Sequence, residues 1–448
     1  MKQLTRIFFI CFFIHQGNSY AQESYNLHKL LTYAVLNNAE IKKAALRQSE
    51  SQFKTKEVIA NGLPQLNGNI NYSRMGIPEI SISQDIISSL PEEVLPLLGK
   101  LKEIDALHII SAGVTVSQLI YSQPYLTGIK QTRKSEELYS AMSVETETEV
   151  IYSVAATFYQ IQNNYSTLKI LDESIENLEA LNKILRLQYE NDFIKQTDVK
   201  RVKVKVSNLK TQKETLENAI NIQIQILKII CGIPSETEIT VETGDLESNK
   251  IQGPDVGQFT PDALPLFQLL QKQNELAALQ VASDQAAYFP NLVAFGQFNY
   301  SSYNTSFNLR NLSNVNTIGF KATIPIFSSG MRKYKVLQSK SKLLQVSEDF
   351  KVRKRQLSTS YENAVNTLMS SWKSLQEQQE NKDLAKEVYD QVKLQFDEEM
   401  ASLTDLLNDE SSLLEAENLY NQQLLKYQIA ELDMYKSTGK LKEIINSK

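Results

Sequence analysis

Histidine and cysteine, the side chains that most often carry catalysis or bind metals, are scarce and scattered along the chain. The histidines are His15, His28 and His108, and no two of them lie at a spacing that would place them on one face of a helix. The two cysteines, Cys11 and Cys231, are far apart in sequence. No GxxxxGK[ST], GxGxxG or GxSxG motif occurs. We therefore expect no catalytic centre, no metal site and no cofactor, and the protein is not predicted to be an enzyme.

Charge and composition exclude further classes. The chain has 52 Asp and Glu against 47 Lys and Arg, a net charge of −5, which argues against a nucleic-acid binder. Carboxylates on helices more often form a solvated face than a general acid. The 15 Gly and 11 Pro are together roughly 6% of the 448 residues, about half the usual share, which argues against a turn-rich all-β fold. The sequence contains no run of 18 apolar residues, so no transmembrane α-helix is predicted. The composition predicts a mostly helical chain.

The first 21 residues have the pattern of a secretory signal peptide. Lys2 and Arg6 form a basic start, Ile7–Ile14 is a short apolar run, and a small-x-small cleavage site ends at Ala21. Removal of this segment leaves Cys231 as a lone thiol, so no disulfide within the chain is expected.

A tandem repeat organises the remainder. Leu187–Glu190 recurs as Leu394–Asp397 at an offset of 207, and Gly232 and Gly439 keep that offset. The other matching pairs are Thr197–Val199 with Thr404–Leu406, Ile120–Ser122 with Ile326–Ser328, and Pro64–Leu66 with Pro290–Leu292. The last pair has a larger offset, which one insertion around 78–107 explains. The chain is therefore predicted to be a duplication.

In each repeat, the sequence pattern predicts a helix, then two strands, then a long helical hairpin. The first repeat covers 22–231, with a helix at about 25–60, strands at about 65–75 and 109–121, and a hairpin at 124–231. A linker or equatorial segment, 232–260, follows. The second repeat covers 261–448, with a helix at about 262–288, strands at about 291–301 and 315–327, and a hairpin at 329–438. The alternating isoleucines of 220–226 are typical of a strand, but their repeat partner is helically patterned, so we assign them to the helix.

The hairpins have the three-and-four spacing of a coiled-coil seam with polar interruptions. In the second repeat the seam is formed by Leu403, Leu406, Glu410, Leu413, Glu417, Tyr420, Leu424, Tyr427, Glu431 and Met434.

The four strands have one apolar and one polar face, and each is about ten residues long, the length of a tilted membrane-spanning strand. Tyr72, Tyr121, Tyr300 and Phe327 lie near strand ends, where an aromatic girdle is expected. The candidate lumen-facing polar residues are Asn67, Asn69, Asn71, Thr115, Gln297, Asn299, Thr317, Lys321 and Thr323. Alternation alone is equally compatible with a half-buried sheet of a soluble protein. Because lipid does not tolerate open sheet edges, the membrane interpretation requires two or three copies, with eight or twelve strands.

This architecture resembles the TolC-family outer-membrane efflux proteins. The resemblance rests on Ala34–Ile41, on the helix-to-strand junctions GLPQL (62–66) and YFPNL (288–292), and on Ile324–Gly330 opening a long helix. Two tip motifs, Leu187–Val199 and Leu394–Leu406, add to it. The match covers essentially the whole mature chain. Two departures are visible: Asp192 and Glu399 stand where the family's tip turns usually have Gly, and Leu119–Pro124 lacks the Pro-Leu/Ile-Phe form found at Pro325.

The resemblance implies a homotrimer that shares one 12-stranded outer-membrane β-barrel, continued by a periplasmic α-helical barrel. It implies a periplasmic adaptor (membrane fusion) protein, an inner-membrane RND or ABC pump and outer-membrane lipid as partners, and no nucleic acid. The function would be the exit duct of a tripartite efflux or type I secretion system, located in the outer membrane. Two other classes stay open: a soluble periplasmic coiled-coil scaffold without channel activity, and a duct for proteins rather than small molecules.

In such a duct the tips, about 189–198 and 396–405, would form the periplasmic gate. The candidate gate residues are Glu190, Asp192, Asp198, Asp397, Glu398, Glu399 and Asp405. Repeated by symmetry, these carboxylates would form rings that concentrate cations, so Asp405→Asn is expected to change single-channel conductance or cation preference. The alternative is that they are solvated turn residues without a gating role. The basic runs 200–205 and 351–355 are expected to be solvated faces or partners of other helices.

Overall fold

The computed structural model describes residues 23–76, 83–89, 91–93, 96, 106–242, 253–308 and 312–446. The predicted signal peptide with its cleavage site after Ala21 lies outside the described residues, as do most of the predicted insertion and part of the predicted linker.

The first half contains one helix pair, two long strands and a long hairpin. Its elements are β1 (Glu23–Tyr25), α1 (Leu27–Asn37), α2 (Ala39–Ala60), β2 (Gln65–Gly76), α3 (Gln84–Ser88), β3 (Ala106–Ser122), α4 (Gln123–Glu190) and α5 (Gln196–Cys231). The second half repeats this order. Its elements are β4 (Ile239–Val241), a 3₁₀ turn (Pro261–Ala263), α6 (Pro265–Ala286), β5 (Asn291–Asn304), β6 (Ser313–Thr323), α7 (Met331–Asp397), α8 (Leu403–Thr438) and α9 (Glu443–Asn446). The predicted fold class, mostly helical with a small β part that occurs in both repeats, is confirmed. Residues 220–226 are helical, as predicted.

The first predicted helix is divided in two at Asn38. The Asn38 side-chain oxygen accepts hydrogen bonds from the backbone N–H groups of Glu40 (2.7 Å) and Ile41 (3.0 Å), so it caps the N-terminus of α2. Its Nδ2 donates to the carbonyl of Ile230 on α5 at 2.6 Å. The Asn-Asn pair within the family-like stretch 34–41 is therefore the joint between α1 and α2.

Prolines mark the ends of several elements. α2 ends at Ala60, shortly before Pro64, and α6 ends at Ala286, shortly before Pro290, because the residue before a proline avoids helical geometry. β6 was expected to continue to 327 but ends at Thr323. Pro325 has no backbone N–H to donate to a neighbouring strand.

The repeat is visible in the glycines that end the two return helices. Gly232 and Gly439 both have φ of 75° and close the C-termini of α5 and α8. A Cβ atom at Gly232 would lie 2.6 Å from the carbonyl oxygen of Asn37, and one at Gly439 would lie 2.9 Å from that of Ala263. Both the left-handed backbone and the close approach therefore require glycine.

The chain forms two compact units, each with segments from both repeats. The first takes its described residues from 23–44, 143–267 and 354–446, and the second from 45–142 and 268–353. The first unit holds three apolar clusters, one around α1 and the middle of α4, one between α7 and α8, and one along α4 and α5 toward their turn. Ile239 and Val241 of β4, which pairs in parallel with β1, are buried in the first cluster. Part of the predicted linker is thus integrated into the core.

The second unit contains the four-stranded sheet with α2, α6 and the adjoining ends of α4 and α7. The strand order is β2-β3-β5-β6 and all three pairings are antiparallel. One irregularity in register lies between Leu119 and Tyr121 of β3. Among the described residues, no helix has a stretch that is both long and apolar enough to cross a membrane.

Candidate functional site

The two hairpin turns of the first unit have the same backbone conformation. Asp192 and Glu399 both adopt φ of 59°, in the left-handed region. The amide of Phe193 donates to the carbonyl of Gln188 (2.9 Å), and the amide of Met400 donates to that of Gln395 (2.7 Å). Both turns are therefore Schellman motifs, in which glycine is the usual left-handed residue. An acidic residue takes that place in each repeat.

All seven candidate gate residues lie in these turns or in the helical turns that flank them. Glu190 pairs with Arg186 at 3.1 Å, and Asp198 pairs with Arg201 at 3.5 Å. Asp405 forms a capping box with Ser402, whose amide donates to its carboxylate at 3.2 Å. Asp405 therefore has a local structural role besides any effect of its charge. The remaining members, which are exposed, are Asp192, Asp397, Glu398 and Glu399.

Side-chain contacts join the two hairpins next to their turns. Arg201 of α5 donates to the hydroxyl of Thr404 on α8 at 3.4 Å. Phe396, Leu403 and Leu407 of the second hairpin pack against the cluster formed by α4 and α5. The two turns are thus held side by side.

A buried ion pair lies one to two helical turns farther from the tips. The Lys205 ammonium of α5 lies 2.5 Å from a carboxylate oxygen of Glu410 on α8 and donates to the carbonyl of Leu407 at 2.6 Å. Ser174 of α4 donates to the other carboxylate oxygen of Glu410, and Lys205 also contacts Ser411. Glu410 is 5% exposed. These residues, which we call the hairpin clasp, link three helices through one buried carboxylate.

Two of the three main residues of the hairpin clasp have a signal in the amino-acid sequence. Glu410 occupies a seam position of the predicted coiled coil, and a carboxylate at such a position needs a buried partner. Lys205 belongs to the basic run 200–205, which is expected either to face solvent or to pair with another helix. Lys205 pairs with Glu410 of another helix. Ser174 had no signal at all, because a serine on a helix is most often exposed.

The sheet places all nine candidate lumen residues on one face. Asn67 pairs with Thr115, Thr115 with Gln297, and Gln297 with Thr317, so these four residues form one row across the sheet. All three registers place odd-numbered residues opposite odd-numbered residues over the central part of the sheet. Asn69, Asn71, Asn299, Lys321 and Thr323 therefore share that face.

The opposite face of the sheet is apolar. The register brings together Leu66, Ile70, Tyr72, Ile110, Ala112, Val114, Val116, Leu292, Ala294, Phe298, Tyr300, Ile318, Phe320 and Ala322. Ile70 is 83% and Ile318 is 82% exposed. Ile110 is buried, but the apolar residues of this face on β2 and β6 are exposed, as are Val114, Val116, Phe298 and Tyr300. An exposed apolar patch of this kind marks a surface that meets a partner or a membrane.

Comparisons with known proteins agree with this geometry. Residues 265–440 match the family described as outer membrane efflux protein. The chain is 19% identical over 436 residues to the outer membrane protein TolC of Salmonella enteritidis, which covers 95% of this chain and 84% of TolC. The fold is similar to that of CusC, with a TM-score of 0.76 at 15% identity over 92% of this chain and 91% of CusC. It is also similar to the Campylobacter jejuni CmeC outer membrane channel, with a TM-score of 0.75 at 16% identity over 92% of this chain and 85% of CmeC.

These proteins are an outer membrane protein and channel proteins rather than enzymes, in agreement with the predicted outer-membrane location and the predicted lack of enzymatic activity. The second half of the chain thus matches the outer membrane efflux protein family, and the chain as a whole is similar to TolC in sequence and to outer-membrane channels in fold.

Proposed function

We propose that three copies of the chain form the exit duct of an envelope-spanning export system. Their sheets would close into a 12-stranded β-barrel in the outer membrane, and their long helices would continue it as a helical barrel in the periplasm. A periplasmic adaptor and an inner-membrane RND or ABC pump would deliver the cargo, which is small molecules in tripartite efflux or proteins in type I secretion. Residues 1–21 would be removed on export, and 22–231 and 261–448 would form the two repeats on either side of 232–260.

The observation that carries this proposal is a two-faced sheet with open edges. Within the described chain, β2 and β6 each pair with one strand only, so one edge of each is free. An apolar face suits lipid, but unpaired backbone groups at an edge cost several kcal/mol each in a bilayer (about 2–7). Four strands are too few to close, since barrels need at least about eight. Pairing β6 of one copy with β2 of the next removes every edge, and three copies supply twelve strands.

The helices next to these edge strands carry matching exposed apolar residues. On α2, Leu46 and Phe53 are exposed, on the face opposite buried Ser51. On α7, Leu337 and Leu344 are exposed. Phe53 and Leu337 each lie about 10 Å from the sheet end of their helix, and Leu46 and Leu344 each lie about 20 Å from it, at 1.5 Å per residue. If β6 pairs with the next copy's β2, the two helices become antiparallel neighbours with these residues level.

Charges of opposite sign flank these apolar residues. Glu50 and Glu57 are exposed on α2, where Glu57 also pairs with Lys54 of the same helix at 2.8 Å, and Lys333 and Lys340 are exposed on α7. Glu57 lies level with Lys333, and Glu50 with Lys340, to within about 2 Å along the helix axes. We propose that α2 of one copy and α7 of the next form the seam between copies.

Cysteine crosslinking tests this seam. In the double variant Phe53→Cys with Leu337→Cys, oxidation should give a covalent trimer on a non-reducing gel. A disulfide needs Cα atoms within about 7 Å. Phe53→Cys with Leu344→Cys is the matched control, since its two thiols would lie about 10 Å apart along the seam. Equal crosslinking of both variants, or none in a purified oligomer, would contradict the α2–α7 seam.

The duct itself is tested by extraction and conductance. The protein should require detergent for extraction from outer membranes, have the mass of a heat-resistant trimer and conduct ions in planar bilayers. A monomer that is soluble in plain buffer would instead favour the soluble coiled-coil scaffold.

We further propose that the two turns form the periplasmic gate and that the hairpin clasp restrains it. Opening moves hairpin tips apart, so contacts between hairpins decide its free energy. Arg201–Thr404 and Lys205–Glu410 are such contacts. The turn carboxylates would then line the entrance as negative rings that favour cations.

Deletion of the gene would distinguish between small molecules and proteins as the cargo. In an efflux system the deletion should sensitise cells to small toxic compounds and leave secreted proteins unchanged. In a type I system one or more secreted proteins should disappear from the medium.

A further inference from the structure

The sheet and the first 17 residues of α7, 331–347, carry positive charge and no carboxylate. The four long strands contain no Asp or Glu, and their basic residues are Arg74, His108 and Lys321. The absence of Asp and Glu extends over residues 285–347. The acidic turns between the long helices have the opposite character.

The register separates these three basic residues. Arg74 pairs with His108, and both lie on the apolar face. Lys321 lies opposite Val293 on the polar face. It is therefore the one charged side chain that the described strands carry on that face.

Among the residues that the structure describes, none places a counter-charge beside Lys321. Its neighbours on the polar face are Val293, Thr323 and Asn291, together with Phe295, whose ring lies over Gly319. The Lys321 side chain is exposed, and no described residue forms an ion pair with it. Its charge therefore acts on the adjoining solvent rather than on a neighbouring carboxylate.

We propose that Lys321 makes the sheet end of the duct attract anions and sets its charge selectivity there. The assignment rests on the proposed trimer, in which three Lys321 ammonium groups form one ring two residues from the end of β6 that leads to the helices. Ions and charged solutes would pass acidic rings at the helical turns and a basic ring at the sheet.

Simple electrostatics shows that the potential of such a ring reaches the axis of the proposed barrel. Twelve strands about 4.8 Å apart and tilted by about 40° enclose a barrel with a backbone radius of roughly 12 Å. The Debye length is about 30 Å at 0.01 M salt and about 10 Å at 0.1 M, so at low salt the axis lies well within reach of the three charges. At 0.01 M they would lower the local concentration of a monovalent cation about threefold and raise that of an anion by the same factor.

Reversal potentials across planar bilayers test the proposal. In a tenfold KCl gradient with 0.01 M on the dilute side, Lys321→Gln should shift the K⁺/Cl⁻ permeability ratio toward K⁺ about threefold or more. Lys321→Glu should shift it further, and Lys321→Arg should retain the wild-type ratio. The shift should shrink strongly when the dilute side is raised to about 0.3 M, because screening then shortens the reach of the ring.

Arg74→Gln is the matched control, because it removes the same charge from the opposite face of the same sheet. It should leave the permeability ratio unchanged. Conducting trimers of Lys321→Gln and Lys321→Glu with the wild-type ratio, or an equal shift in Arg74→Gln, would overturn the assignment and leave the proposed duct standing. A wild-type protein that does not conduct would overturn both.

A chemical version avoids dependence on how the substituted chains fold. Lys321→Cys can be assembled first and then labelled in the bilayer with water-soluble methanethiosulfonates, since Cys231 is fully buried. A positively charged reagent should restore the wild-type ratio, and a negatively charged one should shift it toward K⁺. Identical ratios after both labels would overturn the role of Lys321.

Discussion

Glu431 is a carboxylate that the helix packing holds in an unfavourable environment. It lies on α8 near Tyr159, Tyr427 and Tyr435. Burial raises the pKa of each of these phenols, and the nearby Glu431 carboxylate raises it further. Burial raises the pKa of Glu431 itself above the usual range for a carboxyl group. The folded chain therefore favours the neutral acid at this position.

A pH-dependent stability follows from Glu431. A raised folded-state pKa contributes stability that is present below the unfolded pKa and is lost as pH rises through the folded value. Glu431→Gln, which is neutral at every pH, should therefore raise the apparent melting temperature at pH 8, and the difference from wild type should narrow toward pH 4. Thermal unfolding followed by circular dichroism measures it, with the exposed Glu380→Gln as control. An equal or lower melting temperature for Glu431→Gln at pH 8 would show that burial of this carboxylate is not destabilising.

The hairpin clasp leads to a prediction about gating. Lys205→Gln removes the charge that faces buried Glu410, and hydrogen bonds to charged groups contribute about 1.5–3 kcal/mol. If the closed tips depend on this contact, the open fraction in single-channel recordings should rise at least about tenfold, which corresponds to about 1.4 kcal/mol. Lys203→Gln is the control, because Lys203 is exposed on the same helix. Identical open fractions in the two variants would remove the hairpin clasp from the gate.

At the scale of elements, the turn between two long helices is under conformational strain. Asp192 and Glu399 adopt a left-handed conformation, which costs roughly 1–2 kcal/mol for a residue with a Cβ atom. Glycine does not have this strain, although its greater freedom in the unfolded chain offsets part of the gain.

Asp192→Gly combined with Glu399→Gly should therefore stabilise the turns, by up to about 1 kcal/mol each. Hydrogen exchange of the amides of 188–193 and 395–400 measures the local effect. Asp192→Asn with Glu399→Asn separates backbone strain from charge, since Asn also tolerates the left-handed region. Faster exchange in the glycine variant than in wild type would contradict the strain argument.

At the scale of the whole molecule, the two faces of the sheet should tolerate charge differently. Ile318 and Thr317 are adjacent in β6 and lie on opposite faces. A lysine on the lipid side of a barrel costs about 2–4 kcal/mol near the bilayer centre, whereas a lysine on the lumen side remains in water.

Ile318→Lys should therefore reduce the amount of heat-resistant trimer in the outer-membrane fraction severalfold, and Thr317→Lys should leave it near the wild-type amount. Immunoblots of fractionated cells, without boiling, provide the comparison. A result in which Thr317→Lys is the more damaging variant would mean that the faces are reversed.

Features set by local pattern could be predicted from the amino acids. The duplication, the long hairpins and the two faces of the strands follow from repeats and from periods of 3.6 and 2. The positions of the seven gate candidates in or beside the turns follow in the same way, because a turn must separate two helices of fixed length. The division of the first helix at Asn38 could not be predicted from local pattern. An Asn within a helical pattern signals a cap only when a partner such as Ile230 approaches.

The amino-acid sequence by itself therefore determined the elements, their order and the chemical character of each face. Only the tertiary structure decided which residues from different elements meet. Glu410 meets Lys205 and Ser174, and Lys321 lies opposite Val293 with no carboxylate from the described residues beside it. The physical reason is that periodicity records what each residue faces on average, either solvent, core or lipid. Pairing between segments 200 residues apart depends on packing and register, which no local pattern contains.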